Sequence, residues 1–456
     1  MIEWKSFNKI IKNDLFSIMF FSERRSMFEF TKKQDLAVKA MLKGQNVFIT
    51  GPAGTGKSFI IFYFLSKLQL MGIDKDEIAV TSTTGISASL IGGTTLHSFA
   101  GIGLGNKDFE YYYDVIMNKD YFKRKKWRKC KVLIIDEVSM LSPRLFELLD
   151  CLARKIRKKQ LPFGGIQIIL LGDFCQLPTV GEKDFCFEAV NWNEVIDHTF
   201  YLNEIKRQTD NKLQSVLNKI RLGKVDSEVK EVLNSRLNVK LDRKEGIRPT
   251  IIYSKRKAVH NYNIKKENEL KEQGCDTNLY IATYGYSKDI SPNFKEFLKR
   301  YVDNNFNVEN ELKLYIGSQV MVTANFPDLK LYNGSRGVVI GFNKDNKLPI
   351  VKFLDKRELE IEYNEWKHES DKKNFITKKQ IPLKIAWAIT IHKSQGMSLD
   401  YVSTNIGKSI FEYGQVYVVL SRVRNLEGLT IKEIDYNRII ADPKVIKYYE
   451  MLENQK

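Results

Sequence analysis

Eight consecutive residues, Gly51, Pro52, Ala53, Gly54, Thr55, Gly56, Lys57 and Ser58, gather glycines, a lysine and a hydroxyl into one short loop. Glycine lets backbone N–H groups turn inward around an anion, the lysine adds a point charge for the β and γ phosphates, and the serine offers an oxygen to Mg2+. An apolar run ends at Thr50 and a helical run starts at Phe59, the strand, loop and helix order that phosphate binding requires. Hydrolysis of a nucleoside triphosphate also needs a carboxylate beside the cation and a group that activates water. Asp136 and Glu137 directly follow the apolar run Val132, Leu133, Ile134 and Ile135, which puts them at a strand's carboxyl end, where α/β ligands sit. Asp136 is then the candidate magnesium ligand with Ser58, and Glu137 the candidate that polarises water. Gln176, in the stretch 172–178 after another apolar run, is either a γ-phosphate sensor or part of an ordinary strand exit. ATP and Mg2+ are the cofactors that this set implies.

These groups converge only if their strands share a sheet. The runs 46–50, 78–83, 132–135 and 166–171 are apolar and β-branched, as strands buried on both faces are, and they alternate with longer helical stretches. The rhythm predicts a doubly wound α/β core. Runs at 251–253, 385–391 and 416–420 predict a second sheet of like architecture. Between them, residues 256–380 lose helical periodicity, carry turn signals at 332–334 and 344–346, and alternate at 318–323, 337–342 and 348–353; a small inserted β-barrel is expected there. The expected organisation is an N-terminal extension 1–28 and a first core 29–205 with an aromatic, basic insertion at about 103–130. A second core follows from 206–255 and 381–456, interrupted by a β-rich accessory insertion, 256–380.

The whole composition narrows the function further. At 456 residues, 43% apolar and 28% charged, the chain is neither a single small binding module nor a disordered polyelectrolyte. Lys plus Arg exceed Asp plus Glu by 73 − 55 = 18, which favours a polyanionic partner. The 5 cysteines are scattered, without the close pairs of a zinc site or a disulfide framework, so a reducing, intracellular compartment is expected, with nucleus, cytoplasm and mitochondrion left open. The apolar stretch 15–21 is too short to span a bilayer and has no cleavage-site pattern. Basic runs at 123–126 and 154–159 are either solvated helix faces or phosphate contacts.

An ordered series of stretches carries a family resemblance: 28–34, the phosphate loop, 81–85, 93–99, 136–140, 172–178, 204–208, 387–398 and 414–422, with a further signature at 149–158 and 162–167. The chain resembles the superfamily-one DNA helicases of the petite-integration-frequency type (PIF-type), relatives of the RecD-like enzymes, over roughly residues 28 to 430. Departures are small: Thr179 stands where a second proline is usual, and Val419 replaces a commoner alanine. The resemblance implies two tandem RecA-like P-loop cores with a small wedge insertion and an SH3-like barrel insertion. It implies that Gln34 reads the adenine edge, and that Arg207 and Arg422 reach the γ-phosphate of an ATP lying between the cores. It implies a single-strand channel lined by Thr83, Thr84, Thr94, His97 and Ser98 from the first core and His392, Lys393 and Ser394 from the second. Phe99 is a candidate base-stacking platform or a core aromatic, and Arg336, in the hairpin turn 331–337, a candidate phosphate contact.

The expected function is an ATP- and Mg2+-dependent, monomeric DNA motor that moves along single strands, 5′ to 3′ by resemblance, and separates tailed or forked duplex. A DNA-stimulated ATPase that displaces bound proteins without unwinding shares every one of these motifs and stays open, as does a preference for RNA.

Overall fold

The computed structural model describes residues 30–103, 105–205, 210–241, 246–288, 290–306, 308–331, 333–369 and 374–454. The extension 1–28, Arg207 and Tyr332 of the hairpin turn lie outside the described residues. The chain divides into two compact units, one comprising residues up to 229 with 412–421 and 439–456, the other 230–411 with 422–438.

The first unit is built on a parallel sheet of six strands. β1 (Val47–Thr50), β2 (Ile78–Ser82), β3 (Thr94–Thr95), β4 (Val132–Asp136), β5 (Gln167–Gly172) and β6 (His198–Tyr201) lie in the order β3-β2-β4-β5-β1-β6. β1 and β4 are buried along their whole length, as their uninterrupted apolar runs dictate. Helices Lys32–Leu42 and Lys57–Leu70 bury Met41, Ile60 and Phe64 against Ile49, Ile134 and Ile169 of the sheet. Thr50 is in register with Gly172, and Ser82 with Asp136, so the phosphate loop, the Asp136 turn and the Gln176 loop leave the same carboxyl edge.

The second unit has a parallel sheet of four strands, Ala388–Thr390, Thr250–Tyr253, Val402–Ile406 and Leu429–Ile434 in that order. Its β-rich part centres on a five-stranded antiparallel sheet, Glu358–Glu360, Pro349–Phe353, Arg336–Phe342, Gln319–Val322 and Leu383–Ile385, beside smaller antiparallel sheets of two and three strands. Val320, Val322, Val339, Val351 and Phe353 form its core.

Four features depart from the sequence expectation. The run 416–420 is not a strand: Gln415–Leu420 is a helix of six buried residues in the first unit, started by Gly414 at φ +71°. A short, uniformly apolar run fits a buried helix as well as a buried strand, and the left-handed glycine decides between them. The run 385–391 divides between two sheets, with Leu383–Ile385 in the antiparallel one and Ala388–Thr390 in the parallel one. Residues 256–380 hold two long helices, Arg256–Glu272 and Pro292–Asn305; the first fully buries no residue, so it lacks the apolar stripe by which a helix is recognised. Helix Asn211–Arg221 and the C-terminal helix Pro443–Asn454 group with the first unit rather than with the second sheet. Buried hydrogen bonds from Arg221 and Tyr449 to Asp173 hold them there.

Candidate active site

The phosphate loop has the backbone its glycines permit. Gly51, Gly54 and Gly56 sit at φ +148°, +89° and +84°, and a Cβ on Gly51 would stand 2.1 Å from the Leu202 carbonyl oxygen. Gly56 opens helix Lys57–Leu70 in the left-handed region, leaving the first-turn N–H groups facing the loop. Lys57 Nζ folds back onto the loop, donating to the carbonyls of Gly51 (2.6 Å) and Pro52 (3.0 Å). Burial pulls its ammonium below the usual lysine range, opposed by the carboxylates of Asp173, Glu137 and Asp136. Gln34 is buried in a capping box with Thr31, and its Nε2 donates 3.0 Å to the Thr55 carbonyl, so the amide expected to read a base edge is braced against the loop.

Asp136 ends β4 and its Oδ1 accepts the Glu137 N–H at 2.8 Å. Burial first, and the neighbouring Glu137 second, push its carboxyl up to about 7. A divalent cation would offset that cost, and a buried carboxylate together with a serine hydroxyl suits a hard, oxygen-seeking ion. Gln176 is 5% exposed, and its Oε1 has no hydrogen-bond partner among the described residues. The orphan is an acceptor, so it fits a hydrogen-bond donor at the phosphate cradle, such as a water beside the γ-phosphate. These residues fit Mg2+ and a nucleoside triphosphate.

Sequence reasoning gave no role to four residues of this site. Tyr417, inside the quoted stretch 414–422, accepts the Ala53 N–H of the phosphate loop at 2.9 Å. Asp173, 0% exposed, is held by Arg221 and Tyr449; burial opposes its ionisation, but Arg221 overcomes it and keeps the carboxyl low. Tyr417 was legible only as part of a motif, while Arg221 and Tyr449 carry no local signal at all.

The channel candidates separate by exposure. Thr94 is exposed, and Thr83, Thr84 and His97 are half-buried; burial lowers the His97 imidazole. Thr83 Oγ1 donates to the Glu137 carbonyl at 2.9 Å, joining this group to the Asp136–Glu137 turn. Ser98 is buried and its carbonyl accepts from Lys123. Phe99 is 7% exposed with its ring 5.1 Å from the fully buried Trp127, so it is a core aromatic and not a stacking platform. In the second unit Lys393 is exposed and His392 half-buried. Ser394 is buried, with Oγ donating to the Ile391 carbonyl. Arg336 is 3% exposed, donating Nη1 to Thr250 Oγ1 and the Tyr401 carbonyl at 3.0 Å each. Burial lowers its guanidinium to about 10, and this interior position withdraws it from the surface phosphate contact expected of the turn. Arg422, 2% exposed in the second unit, donates to the Ser394 and Met397 carbonyls.

The basic runs are partly structural. Lys123 is spent on Ser98, Arg154 pairs with Asp150 (2.9 Å) and Glu194 (2.7 Å), and Arg157 caps the carbonyls of Trp127, Cys130 and Gly164. Asp150 in turn accepts the Phe163 N–H, tying the signature segments 149–158 and 162–167 together.

A parallel sheet with a phosphate loop, an acidic turn and a polar loop on one edge, followed by a second parallel sheet, defines a tandem RecA-like P-loop protein. The chain belongs to the PIF1-like helicase family, whose model matches residues 29–234. It is similar to the ATP-dependent DNA helicase PIF1 of Xenopus laevis, 38% identical over 430 residues, covering 93% of this chain and 64% of that protein. The chain thus spans just under two thirds of that relative. A crystal structure of Pif1 helicase from Candida albicans matches with a TM-score of 0.77 and 35% identity, over 93% of this chain and 100% of that one. Pif1 helicase from Bacteroides in complex with ADP-AlF3 and single-stranded DNA matches with a TM-score of 0.67 and 30% identity, over 94% and 98%. Among the described residues no helix is long and apolar enough to cross a membrane.

Proposed function

We propose that this chain is an ATP-dependent DNA helicase that translocates on single-stranded DNA, 5′ to 3′, and separates tailed or forked duplex. The observation that carries the reading is the phosphate loop on the same sheet edge as Asp136, Glu137 and the orphaned Gln176 Oε1, in a chain of the PIF1-like family. The likeness to relatives named for ATP-dependent helicase activity and for a complex with ADP-AlF3 and single-stranded DNA supports it.

In this reading the loop amides of residues 54–58 bind phosphate oxygens, and Lys57 leaves the carbonyls of Gly51 and Pro52 for the β and γ phosphates. Ser58 and Asp136 would hold Mg2+, which would supply charge neutralisation and polarisation at the phosphates. Glu137 orients the attacking water and takes its proton, and Gln176 fills its open acceptor with an O–H of that water beside the γ-phosphate. Gln34 serves the adenine edge. Arg207 and Arg422 add the positive charge that a dissociative transition state rewards, an effect of about 10³ to 10⁵ in rate. Thr83, Thr84, Thr94, His97, His392 and Lys393 line the strand's path and grip phosphates without reading sequence.

The deciding measurement is ATP hydrolysis with and without single-stranded DNA, followed by strand separation on duplexes with 5′ or 3′ tails. DNA-stimulated hydrolysis with unwinding from 5′ tails is expected. Stimulated hydrolysis without unwinding on either tail would favour a displacing ATPase instead. Lys57→Ala should abolish hydrolysis and leave single-strand binding largely intact; near wild-type hydrolysis in that variant would overturn the assignment of the loop.

A further inference from the structure

The helix Pro443–Asn454 follows every motif described above, yet its Tyr449 is 2% exposed and its hydroxyl is fully engaged within the first unit. The Phe174 N–H donates to it at 3.0 Å, it donates to Asp173 Oδ1 at 3.0 Å, and Thr50 Oγ1 lies 2.6 Å away. A phenol has one proton and accepts through its oxygen lone pairs. With the proton committed to Asp173, the Thr50 hydroxyl is the donor of the shortest bond, and the phenol both donates and accepts at full capacity.

The partners are the ends of two adjacent strands. Thr50 is the last residue of β1, immediately before the phosphate loop, and Phe174 stands two positions after β5 and two before Gln176. We propose that Tyr449 is a positioning residue for ATP turnover: its hydroxyl bridges the two strand ends and so sets the phosphate loop in register with the Gln176 loop, making the C-terminal helix part of the nucleotide site. The inference rests on the ATPase reading above.

Two features separate this role from mere packing. The ring holds the helix as well as the hydroxyl does: it lies 4.2 Å from the Arg221 guanidinium and 5.5 Å from the Tyr201 ring. The acceptor of the hydroxyl is itself immobilised, since Arg221 grips Asp173 through Nε (2.9 Å) and Nη2 (2.8 Å) while Cys175 N–H donates at 3.1 Å. The phenol is therefore anchored on one side and spends its remaining capacity on the strand ends. Tyr449→Phe retains the ring contacts and deletes the hydroxyl's bonds to Thr50, Phe174 and Asp173.

The test is steady-state ATP hydrolysis by the full chain with saturating single-stranded DNA. Tyr449→Phe should lower kcat roughly 10- to 100-fold, the scale of a loop misplaced by about 1 Å, with KM for ATP within about twofold; the Phe174 N–H it leaves unpaired lowers the thermal midpoint, so the rate is read at a temperature where the variant is folded. Thr50→Val deletes the same bond from the other side, so the double variant should lose no more than the worse single one. The proposal is overturned if Tyr449→Phe turns over within about twofold of wild type per folded molecule, or if the two losses multiply. A wild-type chain that hydrolyses no ATP would overturn the ATPase reading and this proposal together; an active wild type with an indifferent Tyr449→Phe overturns the proposal alone.

Discussion

Glu137 holds φ at +55°, a left-handed backbone that a non-glycine residue adopts only when its surroundings impose it. Here the constraints are the Asp136 carboxylate on its N–H and the Thr83 hydroxyl on its carbonyl. The aim of the candidate base is thus set by a neighbour in sequence and by a residue of the neighbouring strand's exit loop. Residue identity was legible in the sequence; residue exposure was not. Phe99 and Arg336 have the types that nucleic-acid contacts use, but Trp127 encloses one ring and Thr250 with Tyr401 encloses the other side chain. Phe99→Ala should therefore lower stability by about 3–5 kcal/mol in denaturant unfolding while single-strand affinity of the folded protein, read by fluorescence anisotropy, stays unchanged. A selective loss of affinity at full stability would return the ring to the strand's path.

At the scale of elements, the insertion expected at 103–130 folds as helices, and Tyr121–Lys129 carries its anchor. Positions 123 and 127 are one turn apart and face the same way: Lys123 donates to the Ser98 carbonyl and Trp127 Nε1 to the Ala100 carbonyl. Both bonds fasten the insertion to the helix Leu96–Ala100 that bears His97. Burial pushes the Lys123 amine down to about 8 from an ordinary 10.5. Between those values the unfolded chain binds more protons than the folded one, so this group makes stability rise with pH through that window and contributes a penalty below it. Thermal midpoints from pH 7 to 10 should accordingly rise for wild type relative to Lys123→Met, which keeps the stem and removes the titration; parallel curves for the two proteins would refute the burial argument. The apolar runs of the first sheet were plain in the sequence because a strand buried on both faces leaves an uninterrupted hydrophobic record. The helix Gln415–Leu420 leaves the same record, and only the left-handed Gly414, whose Cβ would stand 2.5 Å from the Cys175 carbonyl oxygen, separates the two readings.

For the whole molecule, an excess of 18 positive charges would make the proposed affinity for a nucleic acid strand dependent on released counterions. If about five phosphates are neutralised, log K for single-stranded DNA should fall against log salt with a slope near −3.5, about −0.7 per contact. Titrations at several salt concentrations measure it, and a flat response would exclude phosphate contacts as the main source of affinity. Chemistry that closes within a few residues was readable beforehand: a phosphate loop of eight positions, an acidic pair after an apolar run, and the α/β rhythm around them. Each depends on local spacing, and local spacing is what a linear chain records. The tertiary structure alone decided that Tyr449 meets Thr50 across 399 positions and Tyr417 meets Ala53 across 364, and that Arg221 neutralises Asp173. Such contacts are selected by burial, where an unpaired polar group costs more than its hydrogen bond returns, and no periodicity along the chain encodes which distant partner satisfies it.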